Sequence, residues 1–377
     1  MNSGEYKKYI WQRPEWPAWQ FDSGRLAELL AKVTLARGRL LGGMEALGFR
    51  LAEEATLRVL AEDVVKSSEI EGEKLNPESV RSSLARRLGM DIGALAPADR
   101  HVDGVVEMVL DATQGYDRPL TEQRLFGWHA ALFPTGYSGL ARIAVGAYRT
   151  DAAGPMQIVS GGVGREKVHF EAPPANMLEQ EMPRFLDWFN HAQGLDPTVK
   201  AGLAHLWFVT LHPFEDGNGR IGRAVCDMAL ARADGSTRRF YSLSAQMQRE
   251  RKDYYDALEF AQKGTQDATE WLEWFLGCLL RAIQGAGEQA KGVMLKANFW
   301  GRWSGTSMNE RQVRMLNKML DGFEGNVTNR KWAAINHCSP DTALRDIKEL
   351  AERGVLLSAG AGGRSTHYVL GAMQDKP

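Results

Sequence analysis

The sequence predicts a mainly α protein: a helical core carrying one exposed β-hairpin flap, followed by a smaller C-terminal winged helix-turn-helix. Three observations carry this. Apolar residues recur at steps of three and four over most of the chain; residues 144–174 break that pattern with glycines and short extended runs; beyond Ser307 a fresh order of helices followed by a hairpin begins. At 377 residues the chain is long enough for two or three domains, and its 25% charged and 44% hydrophobic residues are ordinary globular values.

Along the chain, residues 1–50 form an aromatic-rich extension and a helix. Tyr9, Trp11, Trp16, Trp19 and Phe21 crowd its start. They read either as an arm packed on the core or as a ligand-binding aromatic surface, although no polar constellation accompanies them. Leu57, Leu60, Val64, Ser68 and Glu71 then share one helix face. Helices follow over 198–212, 218–233 and 251–261, so the main domain is expected over 51–284. Within it, Ile158–Val159 and Val168–Phe170 flank Ser160-Gly-Gly-Val-Gly164 as a small hairpin. Residues 285–306 are a connector, helical or linker-like. In 307–377, Ser339-Pro340-Asp341-Thr342 is a strong helix start, and Val355–Leu357 and His367–Leu370 make a hairpin behind it.

Several function classes are disfavoured. A net charge of -1 gives no global basic field for nucleic acid or membrane. Cys226, Cys278 and Cys338 lack zinc spacing and suit a reduced compartment. No apolar run approaches a membrane span, so a cytoplasmic protein is expected.

The chemistry concentrates in His212-Pro-Phe-Glu-Asp-Gly-Asn-Gly-Arg-Ile-Gly-Arg223. Pro213 disfavours a helical residue before it, which ends the preceding helix near His212. Gly217, Asn218 and Gly219 can then present backbone N–H groups at the start of the next helix, an anion site favoured by orphan donors and the helix dipole. Arg220 and Arg223, three apart, reach one polyphosphate there, and Ile221 and Gly222 lie between them in the same candidate nucleotide site. Asp216 can take a divalent cation, and His212 can accept a proton near neutral pH. Phe214 reads as the loop's apolar anchor. Leu243, within Phe240–Ser244, and Tyr254 read either as walls for a nucleoside or as core packing.

At these residues the sequence resembles the Fic family, whose motif is H-x-F-x-[DE]-G-N-G-R-x-x-R; every fixed position is matched. The resemblance, spanning about Leu51–Ala261, implies transfer of AMP from ATP to a Ser, Thr or Tyr hydroxyl of a protein. His212 would be the base, Asp216 the Mg2+ ligand, and the two arginines the clamp on the outer phosphates. Upstream, Ser67-Ser-Glu-Ile-Glu71-Gly72 resembles the inhibitory motif [ST]-x-x-x-E-[GN] of self-inhibited Fic proteins, placing an inhibitory helix at about 52–72. The helix face agrees: an inward carboxylate needs a cation, and Arg223 is the natural one. Glu69 and Glu73, flanking Glu71, leave open a solvated helix end. The flap near 157–174 resembles the family's hairpin that aligns a target segment by strand addition, so the protein target itself is not legible.

From Ser307 onward ten Lys/Arg stand against eight Asp/Glu, weak support for DNA contact. Arg330, Lys331, Arg345 and Arg364 could still share a face, while Thr342, Arg345, Lys348 and Glu349 lie on the exposed side of the second helix of the pair. The tail serves DNA contact, protein contact or a homodimer. The rival to a transferase is a nucleotide-responsive transcription regulator with little or no transfer activity, and a complete catalytic motif argues against it.

Overall fold

The computed structural model describes residues 8–45, 49–92, 97–161, 165, 167–320, 323, 326–359 and 366–371. The chain divides into two compact units, Met1–Ala286 and Gly287–Pro377. The first contains α1 (Ser23–Glu45), α2 (Phe49–Ile70), α3 (Pro77–Leu88), α4 (Arg100–Gln114) and α5 (Glu122–Leu132), then the hairpins β1 (Tyr137–Ser138)–β2 (Ala141–Arg142) and β3 (Gln157–Ser160)–β4 (Lys167–Glu171). It continues with α6 (Leu178–His191), α7 (Pro197–Leu211), α8 (Asn218–Asp234), α9 (Leu243–Arg249), α10 (Arg251–Lys263) and the start of α11 (Thr269–Arg302). Residues 285–302, expected as a connector, are therefore helical.

The core is organised on α7 and α8. From Thr198 to Leu211 every residue of α7 except Lys200 is buried, the pattern of a helix enclosed on all sides. Asp196 starts it: its carboxylate accepts from the Thr198 and Val199 N–H groups at 2.7 and 3.3 Å, with Pro197 at the first helical position. α8 lies tightly against α7, because a Cβ on Gly222 would stand 2.8 Å from Val209 Cγ1.

The flap forms as an antiparallel pair, with a register shift between Ile158 and Val159. Its turn residues 162–164 and 166 lie outside the described residues. The aromatic N-terminal arm packs on it rather than forming an open surface. Tyr9 meets Phe170 edge-on at 5.2 Å, and the Trp11 indole N–H donates to the Glu171 carbonyl at 2.8 Å. Trp16 donates to Glu181 Oε2 at 2.8 Å, anchoring the arm to α6 as well.

The second unit contains α12 (Glu310–Leu320), α13 (Asn329–Ile335), α14 (Pro340–Glu352) and the hairpin β5 (Leu356–Ala359)–β6 (His367–Leu370). Ser339 caps α14, accepting from Thr342 N–H at 3.2 Å. Met315, Leu316, Trp332, Ile347 and Leu350 form its core. Arg330, Lys331, Arg345 and Lys348 are exposed, Thr342 is half-buried, and Glu349 is held by Gln312 and Arg353. Arg364 lies outside the described residues. Among the described residues no helix is long and apolar enough to cross a membrane.

Candidate active site

The site is built at the corner between α7 and α8. His212 caps α7 in the left-handed region (φ 49°, ψ 57°), so the chain turns sharply there. The loop that follows is laced from within. The Phe214 N–H donates to Asn218 Oδ1 at 2.9 Å, and Asn218 Nδ2 returns a bond to the Phe214 carbonyl at 2.8 Å. Phe214 is fully buried and stacks on the His129 ring at 4.3 Å. Asn218 thus holds the loop closed through its side chain, a role more specific than lining an anion cradle. Gly217 adopts φ 81°, and a Cβ there would stand 2.9 Å from the Phe133 ring, so glycine is required twice over.

His129 was not singled out from the sequence, yet it fixes the loop. Its Nδ1 accepts from the Gly146 N–H at 3.1 Å, which leaves Nε2–H to donate to the Asp216 carbonyl at 3.2 Å. Burial pushes its pKa down to about 4, so the ring is neutral. His212 is neutral for the same reason: burial, with the nearby Arg149 cation in the same sense, pushes it down to about 4. Its Nδ1–H donates to the Val209 carbonyl at 3.3 Å, which leaves the Nε2 lone pair as the proton acceptor.

The arginines are both occupied by carboxylates from the end of α2. Arg223 Nη2 pairs with Glu71 Oε1 at 2.8 Å, while its Nε donates to Ser67 Oγ at 2.9 Å and Nη2 to the Ser67 carbonyl at 2.8 Å. The Glu71 carboxylate sits over Gly219, where an added Cβ would overlap Oε1. A carboxylate therefore fills the glycine cradle at the start of α8, where the backbone and dipole favour an anion. Arg223 Nη1 is buried without a hydrogen-bond partner, a donor suited to a further anionic oxygen.

Glu73 is not a solvated flank. It pairs with Arg220 Nη1 at 2.7 Å and with His101. Burial works against its charge, but His101 and Arg220 more than offset that and hold its carboxyl below the usual range. Both glutamates are placed by Gly72. The helix ends at Ile70, Gly72 adopts φ 85°, and the Gly72 and Glu73 N–H groups turn back to the Glu69 and Ser68 carbonyls at 3.0 Å each. This double closure requires a left-handed residue, for which glycine is suited.

Below Glu71, α2 and α8 continue in register. Ser67 meets Arg223, and Asp63 lies by Asp227, each four residues along its own helix. Burial and then the Asp63 charge push the Asp227 carboxyl well up, and Arg239 donates to it at 2.8 Å. Ser242 donates to Asp63, which ties the start of α9 to α2.

The other expected site residues are placed as follows. Asp216 lies at the mouth, where Oδ1 accepts from the Gly217 N–H at 2.6 Å and Oδ2 from Ser138. Among the described residues no group of three or more His, Cys, Asp or Glu side chains is placed to hold a metal ion. A single carboxylate suits Mg2+ that arrives with its phosphates. Tyr254 is buried beside Arg223, and its hydroxyl shares a hydrogen bond of 2.8 Å with His205 Nε2. Leu243 is buried in the first turn of α9, Ile221 is fully buried, and Gly222 faces α7. The structure brings His212, Asp216, Gly217, Gly219, Arg220, Arg223, Ser67 and Glu71 to one place, while Leu243 and Ile221 are buried and Gly222 packs on α7.

Two family models match the chain: residues 119–230 match the Fic/DOC family, and residues 9–90 match DUF4172, a domain of unknown function. The chain carries a Fic/DOC family domain. A protein adenylyltransferase Fic from Nematostella vectensis is 35% identical over 114 residues, covering 29% of this chain and 25% of that protein. One from Drosophila virilis is 38% identical over 104 residues, covering 27% of this chain and 20% of that protein. The match thus spans a quarter or less of these curated relatives. A crystal structure of a Fic family protein from Desulfovibrio desulfuricans has the same fold, with a TM-score of 0.51 at 21% identity over 94% of this chain and 97% of that chain. A Fic-domain signalling protein from Bacteroides thetaiotaomicron gives a TM-score of 0.50 at 22% identity, covering 68% of this chain and 98% of that chain.

Proposed function

We propose that the chain is a Fic-type protein adenylyltransferase that moves AMP from ATP to a Ser, Thr or Tyr hydroxyl of a protein and is held closed by its own Glu71. The observation that carries this is the Glu71 carboxylate over Gly219 and against Arg223, in the place a phosphate would take, beside a histidine whose Nε2 lone pair is free. The target hydroxyl oxygen would bond to the α-phosphorus while the bond to the bridging oxygen of pyrophosphate breaks, and the proton would pass to His212 Nε2. Arg220 and Arg223 would hold the outer phosphates after leaving Glu73 and Glu71, which orients the α-phosphorus for attack. Mg2+, held through Asp216, would neutralise phosphate charge. The flap would align the target by strand addition along β3 or β4.

The test is incorporation of α-labelled ATP into protein by Glu71→Gly and by Glu71→Gly/His212→Ala. Label in the first and none in the second is expected, and equal labelling of the two would exclude His212 as the base.

A second reading concerns the C-terminal unit. Its three helices and hairpin support a winged helix, and exposed Arg330, Lys331, Arg345 and Lys348 support a DNA contact that would make the protein a regulator as well. A gel shift of the full chain on its own promoter DNA should appear at low salt and fade as salt rises; no shift at low salt removes this reading.

A further inference from the structure

Arg149 is invisible as a functional residue in the sequence and lies in the loop before the flap. Its side chain is wholly buried. One residue here holds three successive carbonyls of the α7 corner. Arg149 Nε donates to the His212 carbonyl at 2.8 Å, Nη2 to the Leu211 carbonyl at 3.5 Å, and the backbone N–H to the Pro213 carbonyl at 2.9 Å. The last carbonyls of a helix lack intrahelical partners, so these bonds satisfy groups that would otherwise be orphaned next to the base. They also account for the shape of the corner. A non-glycine residue at φ 49° is strained by about 1 kcal/mol or more, and it persists when its surroundings over-determine it.

The same guanidinium closes the flap at its base. Nη2 also donates to the Pro173 carbonyl, just after β4, and Nη1 donates to Asp151 Oδ1 at 2.9 Å. Asp151 Oδ2 in turn accepts from the Ala175 N–H at 2.6 Å. The entry to the flap (Arg149, Asp151) and its exit (Pro173, Ala175) therefore meet on the residue that grips the backbone of His212.

Resting on the transfer reading above, we propose that Arg149 is a positioning residue for the group transfer: it locks the left-handed corner that aims His212 and ties that corner to both ends of the flap. A segment seated on the flap and the base that takes its proton are then held in one frame. Burial of the imidazole and the charges of Arg149, Glu71 and Asp216 set the surroundings of His212. Loss of Arg149 both loosens the backbone corner that carries the ring and removes a cation.

The experiment compares Arg149→Lys, Arg149→Gln and Asp151→Asn in the Glu71→Gly chain. Lysine keeps the charge but cannot span three carbonyls and a carboxylate. A misplacement of about 1 Å costs about 10²-fold in rate, so Arg149→Lys is expected to lower kcat on that scale with ATP affinity within about two-fold. Asp151→Asn should lower kcat less, in the same direction, and it carries the test if the Arg149 variants do not fold. The His212 ring resonances, followed by NMR against pH, should shift in all three variants and titrate at higher pH in Arg149→Gln. Unchanged kcat in the variants, kcat and ATP affinity falling together, or unmoved His212 resonances would overturn the proposal. Should Glu71→Gly transfer no nucleotide, the transfer reading fails, and the His212 resonances still decide the role of Arg149.

Discussion

Glu71→Gly is the perturbation whose size can be worked from the geometry. The Arg223 side chain is 3% exposed and that of Glu71 is 32% exposed. A fully exposed pair contributes about 0–1 kcal/mol, and breaking a fully buried one costs about 3–5 kcal/mol. With one partner buried and the other a third exposed, the latch is worth about 2 kcal/mol, discounted for the water around Glu71. A phosphate must displace that carboxylate before Arg223 can serve it, so the open, competent fraction is lowered by about 30-fold. Ser67 still holds Arg223 through Nε and Nη2 when Glu71 is gone, so the guanidinium stays aimed at the cradle. Initial rates with α-labelled ATP and Mg2+ should therefore rise about 30-fold in Glu71→Gly, and ATP affinity by calorimetry should rise with them. Glu71→Gln, which keeps the shape but loses the charge, should fall between. If Glu71→Gly labels no faster than the natural chain, the carboxylate is not what closes the site.

Two further outcomes follow from the same geometry. Gly219→Ala places a methyl where Oε1 of Glu71 sits, so it should release Glu71 yet abolish nucleotide binding, even when combined with Glu71→Gly; retained ATP affinity would show that the cradle lies elsewhere. For pH, the fully buried His129 and His205 sit near 4, below the ordinary 6.5, so the unfolded chain binds their protons first as pH falls. Their contribution is present above pH 6.5 and is lost on the way down to about 4, which amounts to about 2 kcal/mol each between pH 7 and 5. His101, raised by Glu73, works in the opposite sense, since its contribution fades as pH rises. Urea midpoints at pH 7 and pH 5 check the sum; equal midpoints would contradict the burial of these rings.

Much of the site was legible because its chemistry is written in consecutive residues. His212, Asp216, the glycines and the two arginines act from one corner, and a corner between two helices needs little long-range information to be drawn. Glu71 was legible as well, through the spacing that keeps it on the face of Leu57, Leu60 and Val64. The partners of Glu73 were not legible, because charge alone does not say which way a residue past a helix end points. Gly72 decides that, by turning the chain so that both glutamates face α8. What Leu243, Ile221 and Gly222 pack against was not legible, because helical geometry turns sequence neighbours to different faces. The helix over 285–302 was left undecided since glycine and alanine weaken the apolar period that would announce it.

The sequence by itself determined the Fic motif, the mainly α class and the order of elements, because these depend on local spacing: helical periods, capping residues and glycines at fixed offsets. The tertiary structure alone decided which carboxylate meets which arginine, that His129 stacks under Phe214, and that Arg149 joins the flap to the corner at His212. Arg149 is 63 residues from His212 in the chain, and a buried guanidinium with several carbonyl partners has no local sequence pattern. Its partners are backbone atoms, which every residue carries, so its position becomes known when the chain is folded around it.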